Sequence, residues 1–235
     1  MNKTTKNTLL IDADDTLWEN GIYYENAVLN FISLMKSKNI FKDTIEEIIR
    51  KRKIENLPRY GYGSHNLYNT MVEVYKEGCE LNNTSIDDEI MDFLKSMRHK
   101  TRNYSIEFLP GVKETLPMLF KKNSLILVTK GNYDEQKDKI ERSGVLSYFH
   151  SSKIVPEKDI KTYKDIIEEF KLNTENTWMI GNSPRSDINP AKAAGLGTVF
   201  IPYHMTWEHE TERIQRGARE TIILKDFSEL KIYFN

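Results

Sequence analysis

Four short apolar runs, each stopping at a polar or glycine-bearing turn, constrain this 235-residue chain more than any other feature. Leu9-Leu10-Ile11 stops at Asp12-Ala13-Asp14-Asp15, and Leu125-Ile126-Leu127-Val128 stops at Thr129-Lys130-Gly131-Asn132. Trp178-Met179-Ile180 stops at Gly181-Asn182-Ser183, and Thr198-Val199-Phe200-Ile201 stops at Pro202-Tyr203-His204. Unbroken apolar runs of this length suit strands covered on both faces. Helical patterns lie between them. Ile160, Tyr163, Ile166, Ile167 and Phe170 recur at helix spacing, and Asn189-Pro190 before Ala191, Ala193, Ala194 and Gly195 reads as N-cap, first-turn proline and glycine stop. Strands alternating with helices predict an α/β fold, a Rossmann-like parallel sheet with right-handed crossovers.

The stretch 18–106 breaks this rhythm. Val28, Phe31, Ile32 and Met35 form one helical face, Asp43 with Glu46 resembles a capping box ahead of Ile45, Ile48 and Ile49, and Ser85 with Asp88 opens a helix carrying Ile90, Met91, Phe93, Leu94 and Met97. We read it as a separate helical domain inserted into a core made of 1–17 and 107–235.

Composition narrows the class of partner. A net charge of −1 provides no field toward nucleic acid or an anionic membrane. The single Cys79 excludes an internal disulfide framework and suits a reducing cytoplasm. No apolar run approaches a membrane span, and the apolar run after Met1–Asn7 is too short for a signal peptide. The expectation is a cytoplasmic protein, monomer or homodimer, that binds neither nucleic acid nor membrane.

Asp12 and Asp14 sit at strand period just past the first run, at the sheet edge where open α/β folds place their chemistry. Two carboxylates this close repel, so they need a cation or a shared proton between them. A hard divalent ion such as Mg²⁺ suits such oxygens. The competing reading is a polar turn of Asp12, Ala13, Asp14 and Asp15 after a strand.

These strand ends, with their Asp pair, Thr129 and Gly-Asn loop, and the position of the helical insert resemble the haloacid dehalogenase-like hydrolase superfamily, in its phosphatase branch with a helical type 1 cap. The resemblance implies a Mg²⁺-dependent phosphatase acting on a small phosphorylated metabolite, with 18–106 as the cap that closes over the site. Asp12 is then the nucleophile that forms an aspartyl-phosphate, and Asp14 the proton carrier. Thr129 binds the transferring phosphoryl group, together with a lysine that we place at Lys158, with Lys161 as runner-up. Asp12, Asp14, Asn182 and Asp187 form the metal set. Asn182 departs from the family's Gly-Asp pattern, and whether Asn182 or Asp187 touches the ion directly stays open. Dehalogenases of the superfamily lack a carboxylate at the Asp14 position and work without metal, so Asp14 favours phosphoryl transfer. The same fold also serves phosphomutases and non-catalytic ligand-binding proteins, and both stay open here.

Substrate contacts are expected from Trp18 at the site entrance, from Lys130 and Gly131 after Thr129, and from Tyr60 and Tyr62 in the glycine-rich segment Arg59–His65. That segment reads equally well as a helix connection packed on the helical domain's own core. Arg50-Lys51-Arg52-Lys53 reads as a solvated helix face, with steering of an anionic substrate the sharper reading. His204, Glu208, His209 and Glu210 match no strong metal spacing and read as a surface loop.

Overall fold

The computed structural model describes residues 6–41 and 44–234. Asp43, half of the expected capping box, lies outside the described residues, as do residues 1–5. Six strands form one parallel sheet: β1 (Thr8–Ile11), β2 (Ser124–Lys130), β3 (Ser151–Val155), β4 (Thr177–Gly181), β5 (Gly197–Phe200) and β6 (Ile222–Ile223), in the order β3-β2-β1-β4-β5-β6. Leu10 of β1 stands opposite Ile126 of β2 and Met179 of β4. The central strand is therefore paired on both edges.

It is also covered on both faces. Leu9 and Ile11 pack with Leu125, Leu127, Ile180 and Val199 on one side, while Leu10 packs with Ile126, Val128, Met179, Tyr163 and Ile166 on the other. Burial on both faces is why these runs carry no polar alternation. β2 continues past the apolar run to take in Thr129 and Lys130, and β6 extends the sheet by a pair of residues with no preceding signal.

The chain divides into two compact units, residues 1–21 with 106–235, and 22–105. The second unit holds helices α1 (Gly21–Ser37), α2 (Ile45–Glu55), α3 (Leu57–Tyr60), α4 (Ser64–Leu81) and α5 (Asp88–Arg102) around Phe31, Met35, Ile45, Ile49, Val74, Tyr75 and Leu94. The first holds α6 (Val112–Lys122), α7 (Tyr133–Ser143), α8 (Ile160–Glu169), α9 (Asn189–Ala193) and α10 (Leu230–Phe234). Among the described residues no helix is long and apolar enough to cross a membrane.

Two expected caps are relocated. Asp87, not Ser85, caps α5 by accepting from the Glu89 amide at 2.9 Å. Asn189 is not an N-cap: it is helical itself, at φ −62° and ψ −48°, and its side chain bonds Glu212 and the backbone of Arg213 and Gln215 instead. A single π-helical turn over Pro184–Ile188 runs into α9, so no cap is needed there. Gly195 at φ +91° does end α9 as a glycine stop.

Candidate active site

Asp12 follows β1 with its amide still bonded to the Ile180 carbonyl at 2.9 Å, which fixes the turn that begins there. Its carboxylate is buried. Lys158 Nζ donates to Oδ1 at 2.5 Å and Thr16 Oγ1 donates to Oδ2 at 2.9 Å. The same ammonium donates to Asp187 Oδ1 at 2.7 Å, so Lys158, only 3% exposed, joins carboxylates from the turns after β1 and β4. Burial raises the Asp12 carboxyl to about 7, against the pull of Lys158 and with a further push from Asp187 and Asp14. Burial alone would lower Lys158, but the two carboxylates and their hydrogen bonds raise it overall. Lys161 is 80% exposed on α8 and pairs with Asp165 of its own helix, so of the two lysines only Lys158 joins the cluster.

Asp14 has a cation of its own. Lys139 Nζ donates to Oδ2 at 2.5 Å, Gln136 Nε2 donates to the same oxygen at 2.9 Å, and the Trp18 indole donates to Oδ1 at 2.8 Å. The conflict between neighbouring carboxylates is met by two buried lysines, one for each. Asp15, at φ +60°, accepts the amides of Asn20 and Gly21 at 2.8 Å each. Burial lifts its carboxyl to about 7, opposed by the Gly21 amide and reinforced by Asp14. A side chain at Gly21 would stand 2.9 Å from Asp15 Oδ2 and from the Met205 carbonyl, which explains the glycine.

The turn after β4 is wound by the π-helical residues. Ser183 accepts from the Ser186 amide and donates to Glu210, while its own amide donates to Asp187 Oδ2 at 2.9 Å. Gly181 makes room for that carboxylate: a Cβ there would lie 2.2 Å from Asp187 Oδ2. Asn182 Oδ1 accepts from Thr16 Oγ1 at 3.3 Å, so it and Asp12 Oδ2 surround one hydroxyl.

Several residues expected to contact substrate have partners within the fold. Trp18 is 0% exposed, edge-on to Phe108 and bonded to Asp14, so it lines no entrance. Lys130 donates to Ser186 and Glu210, each at 2.6 Å, and the Gly131 amide donates to the Val155 carbonyl, so these groups are already engaged within the fold. In the helical unit Tyr60 donates to Glu73 at 2.8 Å and meets His65 edge-on, while Tyr62 is half-buried between Gly61 and Gly63. Arg50 and Arg52 pair with Glu25 and Glu77 and are partly buried, while Lys51 stays exposed.

Glu210 is the largest surprise. It is no surface-loop residue: it takes hydrogen bonds from Lys130, Ser183 and Ser186. Burial would raise its pKa, but Lys130 and these bonds hold it below the ordinary glutamate value. No spacing in the sequence announces it, and the same is true of Lys139 and Thr206. Among the described residues no group of three or more His, Cys, Asp or Glu side chains is disposed to hold a metal.

Thr129 Oγ1 is buried at the end of β2 and finds no hydrogen-bond partner among the described residues. Buried hydroxyls are almost always satisfied. This one awaits an acceptor or donor at the same sheet edge as Asp12. The sheet edge thus brings together two carboxylates, each bonded to a buried ammonium, and an unsatisfied hydroxyl.

A parallel sheet carrying this edge defines a class of hydrolase, and comparison with known proteins names it. The family profile of the haloacid dehalogenase-like hydrolases matches residues 20–201, and the chain belongs to that family. A glyceraldehyde 3-phosphate phosphatase of Pyrococcus furiosus is 26% identical over 183 residues, covering 68% of this chain and 74% of its own. A haloacid dehalogenase-like family hydrolase from Xanthomonas campestris superposes with a TM-score of 0.82 at 27% identity, over 97% of this chain and 94% of that one. A 2-haloacid dehalogenase from Pseudomonas syringae shares the fold with a TM-score of 0.59 at 19% identity, over 97% of each chain.

Proposed function

We propose that the chain is a Mg²⁺-dependent phosphatase for a small phosphate monoester. The observation that carries this reading is the second carboxylate: Asp14 is not a turn residue facing solvent but is held on both oxygens beside Asp12. A nucleophilic carboxylate alone would serve halide displacement, whereas a poised proton carrier serves a leaving oxygen.

Asp12 attacks phosphorus and forms the aspartyl-phosphate while the phosphorus–oxygen bond to the leaving group breaks. Asp14 delivers the proton that the leaving oxygen takes up. It then accepts a proton from the water that attacks phosphorus, and Asp12 is released with inorganic phosphate. Lys158 and the Thr129 hydroxyl hold phosphoryl oxygens, since this transfer depends mainly on positioning and charge neutralisation.

The oxygen donors present fit a hard cation. The Asp12 carboxylate, the Asp14 backbone carbonyl and Asn182 Oδ1 would hold Mg²⁺, with Asp187 behind them, its oxygens engaged by Lys158 and the Ser183 amide. Mg²⁺, when bound, supplies neutralising charge for the phosphoryl oxygens. Tyr60 and Tyr62 belong to the helical unit, to which we assign the choice of substrate. The Pyrococcus relatives make glyceraldehyde 3-phosphate a sensible first substrate to try.

The test is release of inorganic phosphate from a panel of monoesters, with and without Mg²⁺, beside release of halide from 2-haloacids. Phosphate release that stops in chelator, returns with Mg²⁺ and vanishes in Asp12→Asn is expected. Halide release with no phosphate release sinks the proposal.

A further inference from the structure

Asn182 stands where a carboxylate would offer oxygen at either end, and an amide offers it at only one. Which end faces Asp12 is set by hydrogen bonding. Thr16 holds the amide only weakly, because its one hydroxyl proton is shared between Asp12 Oδ2 at 2.9 Å and Asn182 Oδ1 at 3.3 Å. Thr206 fixes the other end. Its hydroxyl proton goes to the Tyr203 carbonyl at 2.9 Å, so toward Asn182 it is an acceptor, and Asn182 Nδ2 donates to it at 3.2 Å. With nitrogen drawn outward, Oδ1 turns inward beside Asp12 Oδ2. The segment carrying Thr206 is fixed at both ends, by the Tyr203 hydroxyl on Glu19 and by Glu210 on Ser183, Ser186 and Lys130.

We propose that Thr206 is a positioning residue that orients the Asn182 amide, presenting its oxygen to Mg²⁺ and letting a neutral side chain serve where a carboxylate would need no orienting partner. This rests on the metal reading above. It also explains why an amide at this position and a hydroxyl in a loop after β5 belong together.

Calorimetric titration of the metal-free protein with MgCl₂ tests it without relying on turnover. Removing a group that orients a metal ligand typically weakens affinity on the order of tenfold. Thr206→Val should do so, and Thr206→Ser, which keeps the acceptor, should retain the parent affinity. In an Asn182→Asp background, Thr206→Val should change affinity less than about twofold, because a carboxylate presents oxygen either way. A merely structural role for Thr206 would move both backgrounds together, and that result overturns the proposal, as does an unchanged affinity in Thr206→Val alone. If Thr206→Val fails to fold, wild-type affinity in Thr206→Ala overturns it as well. If neither the parent nor Asn182→Asp binds Mg²⁺, the metal reading falls and this inference with it; if the parent binds and Thr206 is indifferent, only the inference falls.

Discussion

Lys139 and Lys158 are what allow two carboxylates to stand two residues apart in one buried turn. Their effects should separate. Lys139→Met removes one of the three donors on Asp14 while leaving the Asp12–Lys158–Asp187 cluster untouched, so it should act on the proton step. An alkyl phosphate, whose leaving oxygen needs a proton, should lose about a hundredfold in kcat/KM, and 4-nitrophenyl phosphate far less. Equal losses on both esters would mean the lysine acts only on folding. Asp12, Asp14 and Thr129 were legible as strand-end residues because they sit at the close of apolar runs that form buried strands, whereas Lys158, after the more exposed β3, was placed by the family resemblance. Lys139 was legible by neither route, yet α7 carries a faint signal: Ile140 is the one aliphatic residue it offers, and its buried positions are otherwise Glu135, Gln136 and Lys139. A helix laid on a sheet with so little to bury must be facing something polar. Glu210 and Thr206 had no such signature, because only tertiary folding brings their loop back.

At the scale of elements, the turn after β4 is organised by a partner from outside it. Glu210 is held ionised by Lys130, and a group with a lowered folded pKa stabilises above its ordinary value and loses that contribution as pH falls through the folded one. Glu210→Gln should therefore cost about 2 kcal/mol near neutral pH, the scale of a hydrogen bond to a charged group. The gap between the two proteins in denaturant titrations should narrow below pH 4.5, the ordinary glutamate value. A gap that stays constant down to acid unfolding would show that the charge contributes nothing. Local sequence signals fared unevenly here. Gly195 reads correctly as a stop because a positive φ is a property of one residue. Asn189 and Ser85 misled because capping depends on where the helix begins, and both helices begin elsewhere: α9 grows out of a π-helical turn, and α5 has Asp87 closer.

The two compact units own separate cores, one around the sheet and one around α1, α2, α4 and α5. Cys79, buried in the helical unit, is a reporter of the second core alone. Leu10→Ala in β1 should cost roughly 2–5 kcal/mol in global stability. Native-state labelling of Cys79 by a thiol reagent should keep its wild-type rate, since it follows local opening of the helices; labelling that accelerates in step with the lost stability would show one cooperative unit. The alternation of strand and helix, and the interruption of that alternation, were visible from periodicity, whereas β6 was not, being two residues long and held by one neighbour. The position of β1 has a consequence for how the protein is born. It is the centre of the sheet, yet both strands that flank it, β2 and β4, emerge from the ribosome only after the whole helical unit has been made. At about 5–20 residues per second, the strand that leads into Asp12 waits on the order of ten seconds for its first partner. During that interval its apolar run is a segment for a chaperone to shield.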